Sequence, residues 1–304
     1  MARLLPLKLV YHEGYDLHLG SHVFPSSKFK LIRERLLRTG VATEEDFVAP
    51  EPATDDDLRL VHNAEWIRRM HTGLLTFEEV MRLEIPYSRA MVQGFWLHAG
   101  GSILTGRLAL QDKIAFNCGG GFHHAYPDHG EGFCAIHDVG AAIRRLQRDK
   151  LIERALVVDC DVHHGNGTAA IFAGDPTVFT FSIHQFNNYP SDKPPSDIDV
   201  HLADGVKDDE YLMHLAREYV PAVAEFKPDL VFYVAGADPY FDDQLGGLSM
   251  TMEGLKRRDE LVIETALANR APVAIVLAGG YARNLQDTVT IQAGTAEVAI
   301  QALR

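Results

Sequence analysis

Two aspartates and a histidine alternate in the segment Asp159-x-Asp161-x-His163, at the end of an apolar run. Alternate residues of a β-strand point to the same side, so these side chains can face one site. Burying two carboxylates with neither a cation nor donors would cost much free energy, which favours a metal over a pair of turn-forming aspartates. A catalytic zinc needs three protein ligands and one open position. With the distant Asp238, the pattern predicts a site of Asp161, His163 and Asp238.

A pair of adjacent histidines, His123 and His124, follows three glycines. From such a loop both rings can reach one site. Imidazole titrates near neutral pH, so the pair suits general acid–base catalysis. A hydrogen-bond acceptor behind each ring would fix its tautomer. Asp159 is a candidate for one ring and Asn166 for the other.

A tyrosine, Tyr281, follows two glycines after the last long apolar run. Its phenol can donate a hydrogen bond to an oxyanion without ionising. The alternative is a tyrosine packed at the edge of a sheet. The glycine pair at a predicted strand end favours the first interpretation.

Six short apolar runs rich in β-branched residues predict buried strands. They span residues 9–11, 114–117, 155–161, 177–184, 230–236 and 273–280. Helical periods lie between them, including helices capped by Asp138 and by Asp208 or Asp209. Residues 186–199 are predicted to form a surface loop. The alternation indicates an α/β fold, an open parallel sheet flanked by helices, in one domain over residues 1–304.

Ligands of open parallel sheets bind beyond the carboxyl ends of the strands. The histidine pair, the Asp159 segment, Asp238 and Tyr281 each follow a predicted strand. We therefore expect four strand ends to bring these side chains into one crevice.

Composition limits the partners. The net charge is −13 with histidine neutral, which would repel nucleic acid and attract cationic substrates. No uncharged apolar run approaches the roughly 18 residues of a membrane-spanning helix, so no membrane partner is expected. Three cysteines without a C-x-x-C pair predict a reducing compartment, the cytoplasm.

Four motifs together resemble the zinc-dependent histone deacetylase family, which has the arginase–deacetylase fold. They are Gly120-Gly121-Phe122-His123-His124-Ala125, Asp159-Cys160-Asp161-Val162-His163-His164-Gly165-Asn166-Gly167, Gly236-Ala237-Asp238 and Ala278-Gly279-Gly280-Tyr281. Their order and spacing run over nearly the whole chain. The modest length and Gly246-Gly247-Leu248-Ser249 are similar to the class IV branch and its bacterial relatives.

The resemblance implies two kinds of metal. One zinc ion per chain would be held by Asp161, His163 and Asp238, with iron(II) as an alternative. A structural potassium ion would lie near Asp159 and the Ser182 hydroxyl.

The resemblance also implies catalytic roles. His124 would be the general base and then the acid for the leaving amine, and His123 would be an electrostatic partner, paired with Asp159. Tyr281 would donate to the oxyanion. Asn166 stands where class I members have a second orienting carboxylate, so here it would accept a hydrogen bond without supplying charge.

A narrow tunnel for the acylated side chain would have walls formed by Gly132, Phe133 and Tyr189. Class I members also carry an acidic residue at the rim that grips the substrate backbone. Three glutamates are loose candidates for its counterpart: Glu78, Glu79 and Glu84.

The implied function is removal of acetyl or other acyl groups from lysine side chains of proteins or peptides. An acylpolyamine amidohydrolase of the same fold is the alternative. A binuclear manganese ureohydrolase shares the fold, but its Asp-x-His-x-Asp run differs from the Asp-x-Asp-x-His-His run here. A non-catalytic acyl-lysine binder would be expected to lack a ligand, a histidine or the tyrosine, and this chain has all of them.

Overall fold

One sheet of eight parallel strands organises residues 4–304, the part of the chain that this computed structural model describes. The strands are β1 (Lys8–Val10), β2 (Phe47–Val48), β3 (Ile114–Asn117), β4 (Ala155–Asp159), β5 (Val178–Gln185), β6 (Ile198–Leu202), β7 (Leu230–Val234) and β8 (Val273–Val276). Their order across the sheet is β2-β1-β3-β8-β7-β4-β5-β6. Neighbouring strands pair in parallel throughout.

Ten α-helices flank the sheet over the same described residues. They are α1 (Lys28–Arg38), α2 (Asp55–Leu58), α3 (Ala64–Thr72), α4 (Phe77–Leu83), α5 (Arg89–Asp112), α6 (Asp138–Arg148), α7 (Asn166–Phe172), α8 (Asp208–Phe226), α9 (Met252–Ala268) and α10 (Leu285–Gln301). Two short 3₁₀ helices span Glu13–Tyr15 and Glu44–Asp46. Within this range, no helix has both the length and the apolar character needed to cross a membrane.

The central strands are buried along their whole length. Every residue of β4 and of β7 is buried, as expected for parallel strands that are covered on both faces. Helix α5 packs on β1, β3 and β8 and also on α6, whereas α8 packs on β4, β5 and β6 and on α9. The predicted α/β fold with an open parallel sheet is confirmed.

Local details differ from the prediction. Strands β2 and β6 were not expected, and β6 begins at Ile198, so the loop predicted to reach residue 199 ends earlier. The capping of α6 was assigned to the wrong residue: His137 Nδ1 accepts from the Gly140 amide, and Asp138 is the first helical residue. The capping of α8 was also wrong, because Lys207 precedes the helix without a side-chain cap.

The four motif-bearing strands are neighbours in the sheet. Their order is β3-β8-β7-β4, although β8 comes last in the chain. The carboxyl ends of parallel strands lie at one edge of a sheet, so the four motifs meet there.

Candidate functional site

Three side chains at this edge form a buried cluster. Asp161, His163 and Asp238 each offer one ligand atom, and these atoms all lie within 4.8 Å of one another. The Nδ1 atom of His163 is 3.0 Å from Asp161 Oδ1 and 3.5 Å from Asp238 Oδ2. The structure thus brings together the three residues predicted as a metal site.

Backbone amides hold the two carboxylates in place. Asp161 Oδ2 accepts from the Gly279 amide at 2.8 Å, and Asp238 Oδ1 accepts from the Val162 amide at 2.8 Å. The second oxygen of Asp238, Oδ2, is buried and has no hydrogen-bond partner among residues 4–304. A buried carboxylate oxygen without a donor is costly, and a cation would satisfy it.

The charges of the cluster also fit a cation. Burial and the neighbouring Asp161 charge raise the pKa of Asp238 to about 7. Although burial opposes it, the two carboxylates raise the pKa of the His163 imidazole to about 10. In both shifts, protons take the place of the positive charge that a metal cation would supply. Two carboxylates and one imidazole are donors that zinc accepts, so the residues present fit this ion.

Gly279 makes room for the cluster. A Cβ atom at this position would overlap the Asp238 carboxylate and would lie 2.6 Å from Asp161 Oδ2. Any larger residue would push the carboxylates apart. This is a physical reason for glycine immediately before Gly280 and Tyr281.

The two adjacent histidines have opposite surroundings. His123 Nδ1 donates to Asp159 Oδ2 at 2.6 Å. Burial opposes a charge on this ring, but the Asp159 and Asp161 carboxylates outweigh it and raise the pKa of His123 to about 9. The two carboxylates therefore favour the protonated form of the His123 imidazole.

His124 is the neutral member of the pair. Its Nδ1 donates to the Asn166 side-chain oxygen at 2.6 Å. Burial, together with the charges of His123 and His163, lowers the pKa of His124 well below its usual value. Environments that separate the pKa values of two neighbouring groups are typical of acid–base sites.

Tyr281 closes the site from the strand β8 side. Its backbone amide donates to Asp243 Oδ2 at 2.6 Å, and its carbonyl accepts from Gln244 Nε2 at 2.8 Å. Burial and the Asp161 and Asp238 charges raise the pKa of Tyr281 well above its usual value. The phenol therefore stays protonated and can act as a donor.

A cavity of about 160 Å³ opens onto these side chains. Its lining includes His124, His163 and Tyr281 and the three residues predicted as tunnel walls: Gly132, Phe133 and Tyr189. Three further lining residues were missed or left open by the sequence: Glu84, Asn188 and Leu245. Of the three glutamates considered for the rim, Glu84 lines this cavity, whereas Glu79 pairs with Arg69.

A buried aspartate shapes the loop that carries the histidine pair. Asp138 accepts from the amides of Gly121 and Phe122, at 2.9 and 2.7 Å, and from the Ser102 hydroxyl. Gly121 has a φ of +88°, and a Cβ there would lie 2.7 Å from the Ala278 amide nitrogen. The residue predicted to cap a helix thus fixes the glycine loop instead.

A buried arginine joins the two loops that carry Asp161 and Asp238. Arg258 Nη1 donates to the carbonyls of Gly236 and Cys160, at 2.6 and 3.3 Å, and its guanidinium pairs with Asp259. These carbonyls lie just before the loop residues Asp238 and Asp161. Sequence reasoning missed Arg258, because a charged residue in a helix is usually solvent-exposed.

The residues predicted near potassium lie on adjacent strands. Asp159 and Ser182 are register partners in the β4–β5 pair. The Ser182 hydroxyl forms a hydrogen bond of 2.9 Å with His184 Nδ1.

A second group of side chains of the types that bind metals also lies close together. The ligand atoms of His164, His184 and Asp199 are all within 4.8 Å of one another. None of these three residues lines the cavity described above.

Comparisons with known proteins place the chain in a family and confirm its fold. The model of the histone deacetylase domain matches residues 22–295. An uncharacterised protein of Picosynechococcus sp. is 45% identical over 92% of this chain and 94% of its own length. Histone deacetylase 2 of Arabidopsis thaliana is 29% identical over 94% of this chain and 78% of its own length. The crystal structure of the HDA15 HD domain has a TM-score of 0.81 at 23% identity, covers 97% of this chain and 90% of that chain, and shows the same fold.

Proposed function

Because the chain belongs to the histone deacetylase family, we propose that it is a zinc-dependent hydrolase that removes acetyl or other acyl groups from lysine side chains of proteins or peptides. The observation that supports this most is the cavity lined by His124, His163 and Tyr281, next to the Asp161 and Asp238 carboxylates. In this proposal the acylated lysine side chain enters the cavity and its amide meets these groups.

The metal would be held by Asp161, His163 and Asp238. Zinc, when bound, supplies a Lewis acid that lowers the pKa of water and polarises an amide carbonyl. We also propose a structural potassium ion between Asp159 and Ser182, which is supported by their pairing in adjacent strands.

The chain's own residues move the protons. Neutral His124 accepts the proton that water loses as its oxygen attacks the acyl carbon. The same ring then gives this proton to the lysine nitrogen as the C–N bond breaks, so that an amine and a carboxylic acid leave. A positive charge on His123, held by Asp159, lowers the pKa of His124 and so keeps the His124 ring neutral, with a lone pair available for the proton of water.

Tyr281 donates its hydroxyl to the acyl oxygen as this atom gains negative charge. In Tyr281→Phe we expect kcat to fall roughly 10²- to 10³-fold, the usual cost of one lost donor to an oxyanion. KM and the affinity for a hydroxamate inhibitor should change little. Tyr87→Phe is the matched control, since its hydroxyl donates to the Met70 carbonyl away from the cavity. Equal kcat values for wild type and Tyr281→Phe would remove this role.

An acylated polyamine is the second candidate substrate. One observation favours it: Glu84 lines the cavity, and a carboxylate there would attract a substrate amine. Burial and the nearby Glu131 charge raise the pKa of Glu84. Glu84 therefore attracts a cationic substrate only when the pH is high enough to ionise its carboxyl group.

A substrate panel with zinc-loaded protein separates the two candidates. We expect release of acyl groups from acyl-lysine peptides, with acyl chains from acetyl upward, to exceed turnover of acetylated spermidine. Faster turnover of the polyamine would establish the alternative. No turnover of either class by zinc-loaded wild type, under conditions in which a hydroxamate binds, would contradict the hydrolase proposal.

A further inference from the structure

The amide of Asn166 links the histidine base to a carboxylate. Its Oδ1 accepts from His124 Nδ1 at 2.6 Å, and its Nδ2 donates to Glu131 Oε1 at 2.7 Å. Asn166 is buried, and Glu131 is largely shielded from solvent. The three side chains therefore form one line of hydrogen bonds that runs outward from the cavity.

An asparagine cannot fix the tautomer of a histidine by itself. Its carboxamide has an acceptor oxygen and a donor nitrogen of nearly equal shape, so either can face the ring. If oxygen faces His124, Nδ1 carries the proton and Nε2 has the free lone pair. If nitrogen faces His124, Nδ1 must accept, and the proton moves to Nε2. Only the first arrangement leaves a base on the Nε2 side.

A carboxylate removes this ambiguity. Ionised Glu131 has only acceptor atoms, so the NH₂ end of Asn166 must face it and the oxygen must face His124. We propose that Glu131 is a positioning residue that locks the Asn166 carboxamide and thereby the Nδ1-protonated tautomer of His124. The effect on catalysis rests on the proposed function. The orientation of the Asn166 carboxamide and the tautomer of His124, which together we call the lock, can be measured without any substrate.

The surroundings of Glu131 keep its carboxylate in place. Its Oε2 is 3.4 Å from His129 Nε2, and its backbone amide donates to the Cys134 carbonyl at 3.0 Å. Burial opposes the charge, but donation from His129, Asn166 and Tyr189 lowers the pKa of Glu131. These contacts favour the ionised form of Glu131 and keep its carboxylate directed at the Asn166 amide.

The first test replaces the acceptor with an apolar side chain of similar length, Glu131→Met. We expect kcat to fall about 10- to 100-fold, as when a residue behind a ligand or catalytic group is lost, while KM stays the same. Nitrogen NMR of ¹⁵N-histidine-labelled, zinc-loaded Glu131→Met should then show a population of His124 that is protonated on Nε2. The His124 signals are assigned by their absence from the spectrum of His124→Ala. Glu78→Gln, an exposed glutamate on α4, is the control. An unchanged His124 tautomer in Glu131→Met overturns the proposal.

The second test uses rescue. In Asn166→Asp, the introduced carboxylate faces Glu131 across the former 2.7 Å contact, and the repulsion should lower kcat. Adding Glu131→Gln supplies an NH₂ group that can donate to the introduced carboxylate, and it should restore kcat toward the wild-type value. A merely structural role for Glu131 gives no such recovery. If the double variant gains nothing over Asn166→Asp, the proposal fails.

The two proposals fail separately. If zinc-loaded wild type hydrolyses no acyl substrate, the proposed function is wrong, yet the NMR readout still tests the lock. If wild type is active and His124 keeps its tautomer in Glu131→Met, only the lock is wrong.

Discussion

Asp238→Asn should lose most of its bound zinc and its hydrolytic activity together. The substitution removes a ligand charge and leaves an amide, a poor zinc ligand, at the buried position of Asp238 Oδ2. The loss of zinc affinity should exceed the roughly 10- to 100-fold that accompanies loss of a group hydrogen-bonded to a ligand. Metal analysis after dialysis should fall from one zinc per chain to near zero.

The control for this variant is Asp242→Asn, four residues further along and outside the cluster. It should keep one zinc per chain and wild-type turnover. Full zinc content in Asp238→Asn, measured beside this control, would contradict the assignment of Asp238 as a ligand.

His124→Ala should keep its zinc and lose turnover. The ligands remain intact, but no group is left to take the proton from water and return it to the amine. General acid–base catalysis contributes typically about 10²- to 10⁴-fold, and we expect kcat to fall by that range. The experiment measures zinc content, hydroxamate affinity and kcat on one preparation.

His18→Ala serves as the histidine control, because its side chain is 67% exposed and is not among the residues that line the cavity. Should His124→Ala lose zinc as well as activity, its effect would be structural. Should it keep wild-type kcat, another residue would have to be the base.

Much of the site could be predicted from sequence because its residues sit in short motifs. The segment Asp159-x-Asp161-x-His163 was predicted from strand alternation, but β4 ends at Asp159 and places Asp161 and His163 in the loop that follows. Glycines beside His123 and Tyr281 mark the strand ends. The roles assigned to these residues stay predictions until the variants are measured, whereas their meeting at one edge of the sheet is an observation.

The roles that sequence reasoning missed share a cause: the partners of these residues are far away in the chain. Asp138 holds a loop some 16 residues earlier, and Arg258 contacts Cys160, 98 residues away. Glu131 reaches Asn166 across 35 residues. A local pattern cannot distinguish such a buried charge from a cap or a solvated side chain. Strand β6 was missed because Asp199 and His201 interrupt its apolar residues at the edge of the sheet.

The position of β8 between β3 and β7 has a consequence for synthesis on the ribosome. A nascent chain that ends before Val273 can pair β4 with β7 and so gather Asp161, His163 and Asp238. The segment with His124 follows β3, and within the sheet β3 joins that half through β8. The segment from Val273 onward carries Gly279 and Tyr281, so a nascent chain that ends before it lacks both the amide that holds Asp161 and the phenol that lines the cavity.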